Sequence, residues 1–231
     1  MKEKVRQQIS KKMPCRIIVI FVLLVLTSLT VFGTAQYPDK ILYNGKEYSL
    51  HSNPMENYFA QYPDKRPQYG MSTALWRGYV ATFEIKDNQL YLKDIEVMNG
   101  DTVNNKGYYV TIWKSILNEV FPNQELIKID WMTGLLVLPY GKMVNYVHMG
   151  YGSTYRNYIL LEVENGNLVK DKQFGYKQYE KFKERQFQAF KKTEEYEKIK
   201  ADLKKEGNYG DEFLDTFLRS FVIEYTLKIL E

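Results

Sequence analysis

Two aromatic–arginine neighbours, Trp76-Arg77 and Tyr155-Arg156, are the residues of this sequence best suited to hold a ligand. An arginine beside a ring offers a charged fork and a flat π face together, a combination that clamps an anionic or sugar-like molecule. The same pairs would also arise if each arginine met a nearby glutamate, Glu84 or Glu162, or simply covered a ring. Acid chemistry is a second option, since paired carboxylates cleave glycosidic bonds. Glu84, Asp94, Glu96, Glu162 and Glu164 all fall on or near expected strands, with Glu84 and Glu162 opposite the apolar face. Nucleophilic catalysis has weaker support. His148 lies near Ser153 and His51 near Glu56, but a His–Ser pair also needs an acidic orienter and an oxyanion hole. The sequence has no Gly-x-Ser-x-Gly, His-Glu-x-x-His, Walker or Gly-x-Gly-x-x-Gly pattern. Gly150-Tyr151-Gly152-Ser153-Thr154 lacks a lysine and a following helix, and reads as a turn. With one cysteine and two histidines, no metal centre or cofactor is expected.

Both aromatic–arginine pairs sit in segments that resemble each other. The first runs Tyr69-Gly70, Ser72-Thr73, Trp76-Arg77-Gly78-Tyr79-Val80, Glu84-Ile85, a turn, Leu90 and Lys93-Asp94. The second runs Tyr151-Gly152, Ser153-Thr154, Tyr155-Arg156-Asn157-Tyr158-Ile159, Glu162-Val163, a turn, Leu168 and Lys170-Asp171. They read as two related antiparallel meanders. A ligand held by both pairs would then lie between the meanders. A shorter echo, Gln-Tyr-Pro-Asp-Lys with a leading Ala, occurs at residues 35–40 and 60–65.

The elements that must position these residues fall into three zones: 36–98 (first meander), 99–173 (a helix plus the second meander) and 174–231 (a helical hairpin). Asn44-Gly45, Asp87-Asn88 and Asn165-Gly166 supply the positive φ angles of two-residue hairpin turns. Asn53-Pro54 predicts a helix start, with Asn as cap and Pro in the first turn. Residues 110–120 read as a helix with Ile112, Ile116 and Val120 on one face. Leu126–Trp131 and Leu135–Leu138 read as a strand pair around Gly134. In Leu90-Tyr91-Leu92 the apolar residues alternate, yet Ile95 and Val97 are out of phase with them, so a bulge near Lys93-Asp94 is expected.

Tyr176 to Glu206 reads as one helix whose apolar stripe (Tyr179, Phe182, Phe187, Phe190) drifts toward Tyr196 and Leu203, as in a helix that bends or breaks. Gly207 and Gly210 end it. Asp211 opens a second helix, with Phe213, Leu214, Phe217, Phe221 and Leu227 on its apolar side. Packed on the open face of the sheet, this hairpin gives an α+β domain. Residues 170–192 hold eight basic residues against three acids, which reads as a solvated face or as a patch for an acidic partner.

Residues 1–35 read as a targeting segment. Six basic residues and one acid precede an apolar run from Ile17 to Phe32, and Gly33-Thr34-Ala35 follows. Small residues there fit cleavage after Ala35. The alternative is an uncleaved anchor: residues 17–35 as a helix reach ~28 Å, marginal for a ~30 Å hydrocarbon core. Either way the remainder is expected outside the cytoplasmic membrane, periplasmic or secreted after cleavage, or anchored by its N-terminus. The leader also carries the net charge. Without it the chain holds 26 basic and 27 acidic residues and no cysteine, so the whole-chain +4 gives no reason to expect nucleic acid. All 20 tyrosines lie beyond residue 35. Together these features predict a non-catalytic binding or interaction protein of a bacterial cell envelope, with an envelope protein or a glycan as partner. A glycan- or wall-acting hydrolase using strand carboxylates is the alternative, and a structural envelope component a third reading.

Overall fold

The computed structural model describes residues 34–68, 72–207 and 209–230. Residues 1–33 of the expected export segment lie outside these, as does the Tyr69-Gly70 opening of the first repeat copy. No helix among the described residues is long and apolar enough to cross a membrane.

The fold is α+β, with a mixed sheet of nine strands. In chain order these are β1 (Asp39–Tyr43), β2 (Lys46–Leu50), β3 (Val80–Lys86), β4 (Gln89–Val103), β5 (Tyr109–Ser115), β6 (Ile127–Lys128), β7 (Gly134–Asn145), β8 (Thr154–Glu164) and β9 (Asn167–Gly175). Helix α1 (Pro54–Gln61) precedes β3, and a single turn, α2 (Leu117–Val120), follows β5. The main path is β2-β1-β3-β4-β9-β8-β7. Its two ends meet: His51 N donates to Val137 O (2.8 Å), and Val137 N donates to Ser52 Oγ (3.2 Å). The sheet therefore curls toward a closed barrel around one interior.

The sheet was expected to be antiparallel, but β1 and β3 run parallel. The β1–β2 hairpin folds outward, and the α1 segment carries the chain back so that β3 enters beside β1 in the same direction. The three hairpin turns form where the sequence places them, with positive φ at Asn44, Gly45, Asp87, Asn88, Asn165 and Gly166. The bulge is also found. Thr82 pairs with Asp94 and Phe83 with Leu92, so Lys93 is the extra residue, and Leu90, Leu92, Ile95 and Val97 are all buried.

Two expectations fail in the middle zone. Residues 110–115 are strand, not helix: Val110-Thr111-Ile112-Trp113 is β-branched and aromatic, and Ile112 of the expected helical stripe is exposed. β6 and β7 do not pair with each other. β4, 15 residues long, takes β3 along one edge and β9, β6 and β5 in succession along the other, while β7 pairs with β8.

Strands β7 and β8 are apolar on both faces, as Leu135-Leu136-Val137-Leu138 and Tyr158-Ile159-Leu160-Leu161 require. Leu136, Leu138, Ile159 and Leu161 join the barrel interior with Ile41, Phe83, Leu92, Met55 and Phe59. Leu135, Val137, Tyr158 and Leu160 face a helical layer. That layer is not a two-helix hairpin. It comprises α3 (Tyr176–Phe190), α4 (Glu194–Glu206), α5 (Asp211–Ser220) and the short α6 (Val222–Tyr225). The drifting stripe breaks at residues 191–193, where Thr193 Oγ1 caps α4 by accepting from Tyr196 N (3.2 Å). On α5 it is Leu214 and Leu218 that are buried, while Phe213, and Phe221 just past its end, stay exposed.

The β3–β4 and β8–β9 hairpins meet at their tips. Leu90 N donates to Gly166 O (2.8 Å) and Leu168 N to Asn88 O (2.7 Å). Gly166 combines a φ of +76° with close approach: a Cβ there would lie 2.0 Å from the Ile129 carbonyl oxygen. Gly166→Ala is expected to cost more than about 3 kcal/mol in urea unfolding. Gly45→Ala, with φ +72° but open space around it, should cost only the strain of about 1–2 kcal/mol.

Candidate functional site

The inward alternation of β1 carries a charge into the barrel. Asp39 is in phase with Ile41 and Tyr43, and all three are buried. Asp39 is fully buried and Arg77 is 3% exposed. The Arg77 Nη2 group donates to Asp39 Oδ1 (3.2 Å) and to the Tyr37 carbonyl (3.0 Å), and Nη1 donates to Tyr151 Oη (2.9 Å). Asp39 Oδ1 also accepts from Ala81 N (2.9 Å), while Oδ2 is buried without a partner. Tyr151 Oη donates to Asn53 Oδ1 (2.9 Å). Asn53 therefore serves the tyrosine, and its side chain does not cap α1 as the sequence suggests. Next to this pair, Tyr79 Oη donates to Glu56 Oε1 (2.6 Å), and Arg66 grips Glu56 with both terminal nitrogens (3.3 and 2.7 Å). The His51 ring stacks on Tyr151 at 4.6 Å and meets Tyr155 edge-on at 5.7 Å.

This knot draws in two of the four residues expected to bind ligand. Arg77 and Tyr155 are connected through Tyr151 and His51. Trp76 is exposed, with its backbone N donating to Gln36 Oε1 (3.3 Å), and Arg156 is exposed; neither enters the chain of contacts. The arginine–glutamate pairing does not form either. Arg77 meets Asp39, whereas Glu84 pairs with Lys93 (3.1 Å) and Glu162 accepts from Ile229 N (2.9 Å). Asp94 accepts from Ile95 N (2.8 Å) and Ser115 Oγ (2.5 Å), which pins the bulge. Ser153 is bonded to the Val147 backbone, and His148 contacts Tyr146, so these two do not form a dyad. No group of three His, Cys, Asp or Glu among the described residues could hold a metal ion.

On the outer face of the same strands lies a groove of about 340 Å³. Tyr37 and Trp113 give it aromatic walls, and Lys40, Glu47 and Glu96 give it charge. Tyr37 and Trp113 meet edge to face at 5.7 Å, and Lys40 Nζ is 3.6 Å from Glu96 Oε2. Alternation explains the placement: Lys40 points out where Asp39 and Ile41 point in. Since Arg77 holds the Tyr37 carbonyl, the buried knot fixes one wall of the groove. Sequence reasoning named Arg77 and Glu96 but missed Asp39, Tyr37 and Trp113. Two signals were available. Asp39 is in phase with a buried face, and Tyr37, Asp39 and Lys40 all belong to the first Gln-Tyr-Pro-Asp-Lys echo. The second echo ends α1 and forms a 3₁₀ turn at Pro63–Lys65.

Burial pushes the Asp39 carboxyl up to about 7 against the pull of Arg77, and burial lowers the His51 imidazole to about 4. The two shifts act on stability with opposite sign. Folded Asp39 keeps its proton where the unfolded chain has lost it, so its contribution is full below pH 3.8 and lost as pH rises through about 7. Folded His51 stays neutral where the unfolded chain is protonated, so its contribution is full above pH 6.5 and lost as pH falls through about 4. Between pH 5 and 7 the two oppose each other. His51→Phe should therefore gain about 2 kcal/mol on going from pH 7 to pH 5, and Asp39→Asn should lose about 2 kcal/mol over the same interval, in urea unfolding referred to wild type.

Comparison of the chain with protein-family models, with curated proteins and with solved structures finds no match.

Proposed function

We propose that this chain is an exported or membrane-tethered binding module of a bacterial cell envelope, and that the groove between Tyr37 and Trp113 holds a saccharide without cleaving it. The observation that carries the reading is the groove itself. Flat aromatic walls suit the C–H faces of a sugar ring, and Lys40, Glu47 and Glu96 supply donors and acceptors for its hydroxyls. The basic, then apolar, leader supports export. Most strand carboxylates are engaged in internal contacts: Glu84 with Lys93, Asp94 at the bulge and Glu162 with the C-terminal segment.

A hydrolase is the second reading, because Glu96 and Glu47 line the same groove and paired acids on opposite sides of a sugar are what glycoside cleavage needs. A glycan array followed by titration calorimetry separates the two. Binding should weaken about tenfold or more in Trp113→Ala and in Tyr37→Ala, and the glycan should be recovered intact. Binding that ignores both substitutions sinks the groove. Cleavage that is lost in Glu96→Gln while binding persists establishes the hydrolase.

A further inference from the structure

Beyond Met98, β4 and its β5 partner leave the body of the sheet as a two-stranded arm. Residues 99–103 and 107–110 are exposed, and Val103, Tyr108, Tyr109, Val110 and Ile112 present apolar surface on both faces. Tyr109 is 82% exposed. Among the described residues β5 pairs with β4 alone, so its other edge is open. Open edges are ordinarily protected by lysine, proline or a bulge. Residues 107–113, Gly-Tyr-Tyr-Val-Thr-Ile-Trp, contain no charge and no proline, and the irregularity in this pairing lies at Met98–Asp101 of β4.

The direction of the backbone groups fixes which residues can pair. Tyr108 O accepts from Asn104 N (2.9 Å), so Tyr108 bonds toward β4. Alternation along an antiparallel strand then turns the N–H and C=O of Tyr109, Thr111 and Trp113 outward. We infer that this edge pairs with the same edge of a second copy of the chain, antiparallel about a two-fold axis at Thr111.

A second copy is the occupant that suits this strand because the strand is its own complement. The register sets Thr111 against Thr111, Val110 against Ile112 and Tyr109 against Trp113. These are β-branched and aromatic pairs of the kind that stabilise sheets. The flanking lysines do not meet: Lys114 falls opposite Tyr108, and Lys106 lies beyond the paired strand. A two-fold contact of this kind closes on itself and does not propagate. Trp113 walls the groove, and Tyr109 of the second copy would lie beside it on the same face, adding an aromatic side chain to the rim. The pairing does not depend on the identity of the groove's ligand.

The test uses the whole chain with Cys15→Ser, purified in mild detergent, with mass measured by light scattering after size exclusion. Wild type is expected at twice the monomer mass. Thr111→Pro removes an outward N–H without touching the β4 ladder, and Thr111→Lys sets two charges against each other. Both should be monomeric with unchanged circular dichroism, and Thr111→Lys alone carries the test if the proline variant does not fold. Thr111→Cys should oxidise to a covalent dimer, since facing residues lie about 5.5 Å apart, within disulfide reach. Val110→Cys should not. A monomeric wild type overturns the proposal, including one that instead captures an extended peptide. So does a dimer that persists in Thr111→Lys or fails to crosslink through residue 111.

Discussion

The buried Asp39–Arg77 pair is the contact on which the surrounding structure depends. It joins three stretches of chain that are far apart in sequence: the segment entering β1, the loop before β3 and, through Tyr151, the loop before β8. A guanidinium removed from water is costly unless its donors are met. Here two nitrogens are met by a carboxylate, a carbonyl and a phenol. The carboxylate is less well served, because one oxygen is orphaned. Desolvation therefore competes with the ion pair and raises the acid. The pair also fixes the backbone of Tyr37, so an internal electrostatic demand sets the position of a ring on the outer surface.

A second constraint is the two-sided burial of β7 and β8. A strand buried on one face can end a sheet, but one buried on both needs a layer on each side. The interior of the curled sheet covers one set of side chains and the C-terminal helices cover the other. Glu162 sits on the helical side and is satisfied by the Ile229 backbone, which ties the end of the chain to the middle of the sheet. Tyr196, Lys191 and Lys200 meet Asp215 and join the helices to one another. The helical layer thus completes the fold, while the groove and the arm on the outer face of β1 to β5 remain open to solvent.

The sequence by itself determined whatever is local. Hairpin turns were legible because Asn-Gly and Asp-Asn adopt positive φ at low cost, and the bulge because a phase slip between Leu92 and Ile95 has no other remedy on a half-buried strand. The α+β class followed from strand alternation and an aromatic helical stripe. The helix expected at 110–120 survives only as the single turn Leu117–Val120, because residues 110–113 are β-branched and aromatic and favour strand. Only tertiary structure decided the partners. Asn53 has the signature of a helix cap, yet Tyr151 claims its side chain from 98 residues away. Arg77 was expected to meet a ligand or Glu84, but the parallel approach of β1 to β3 delivers Asp39 instead. Hydrogen bonds and ion pairs are chosen by what the fold brings within about 3 Å. Residue type and spacing specify the donors and acceptors, but which of them meet is fixed only once the sheet has curled and closed.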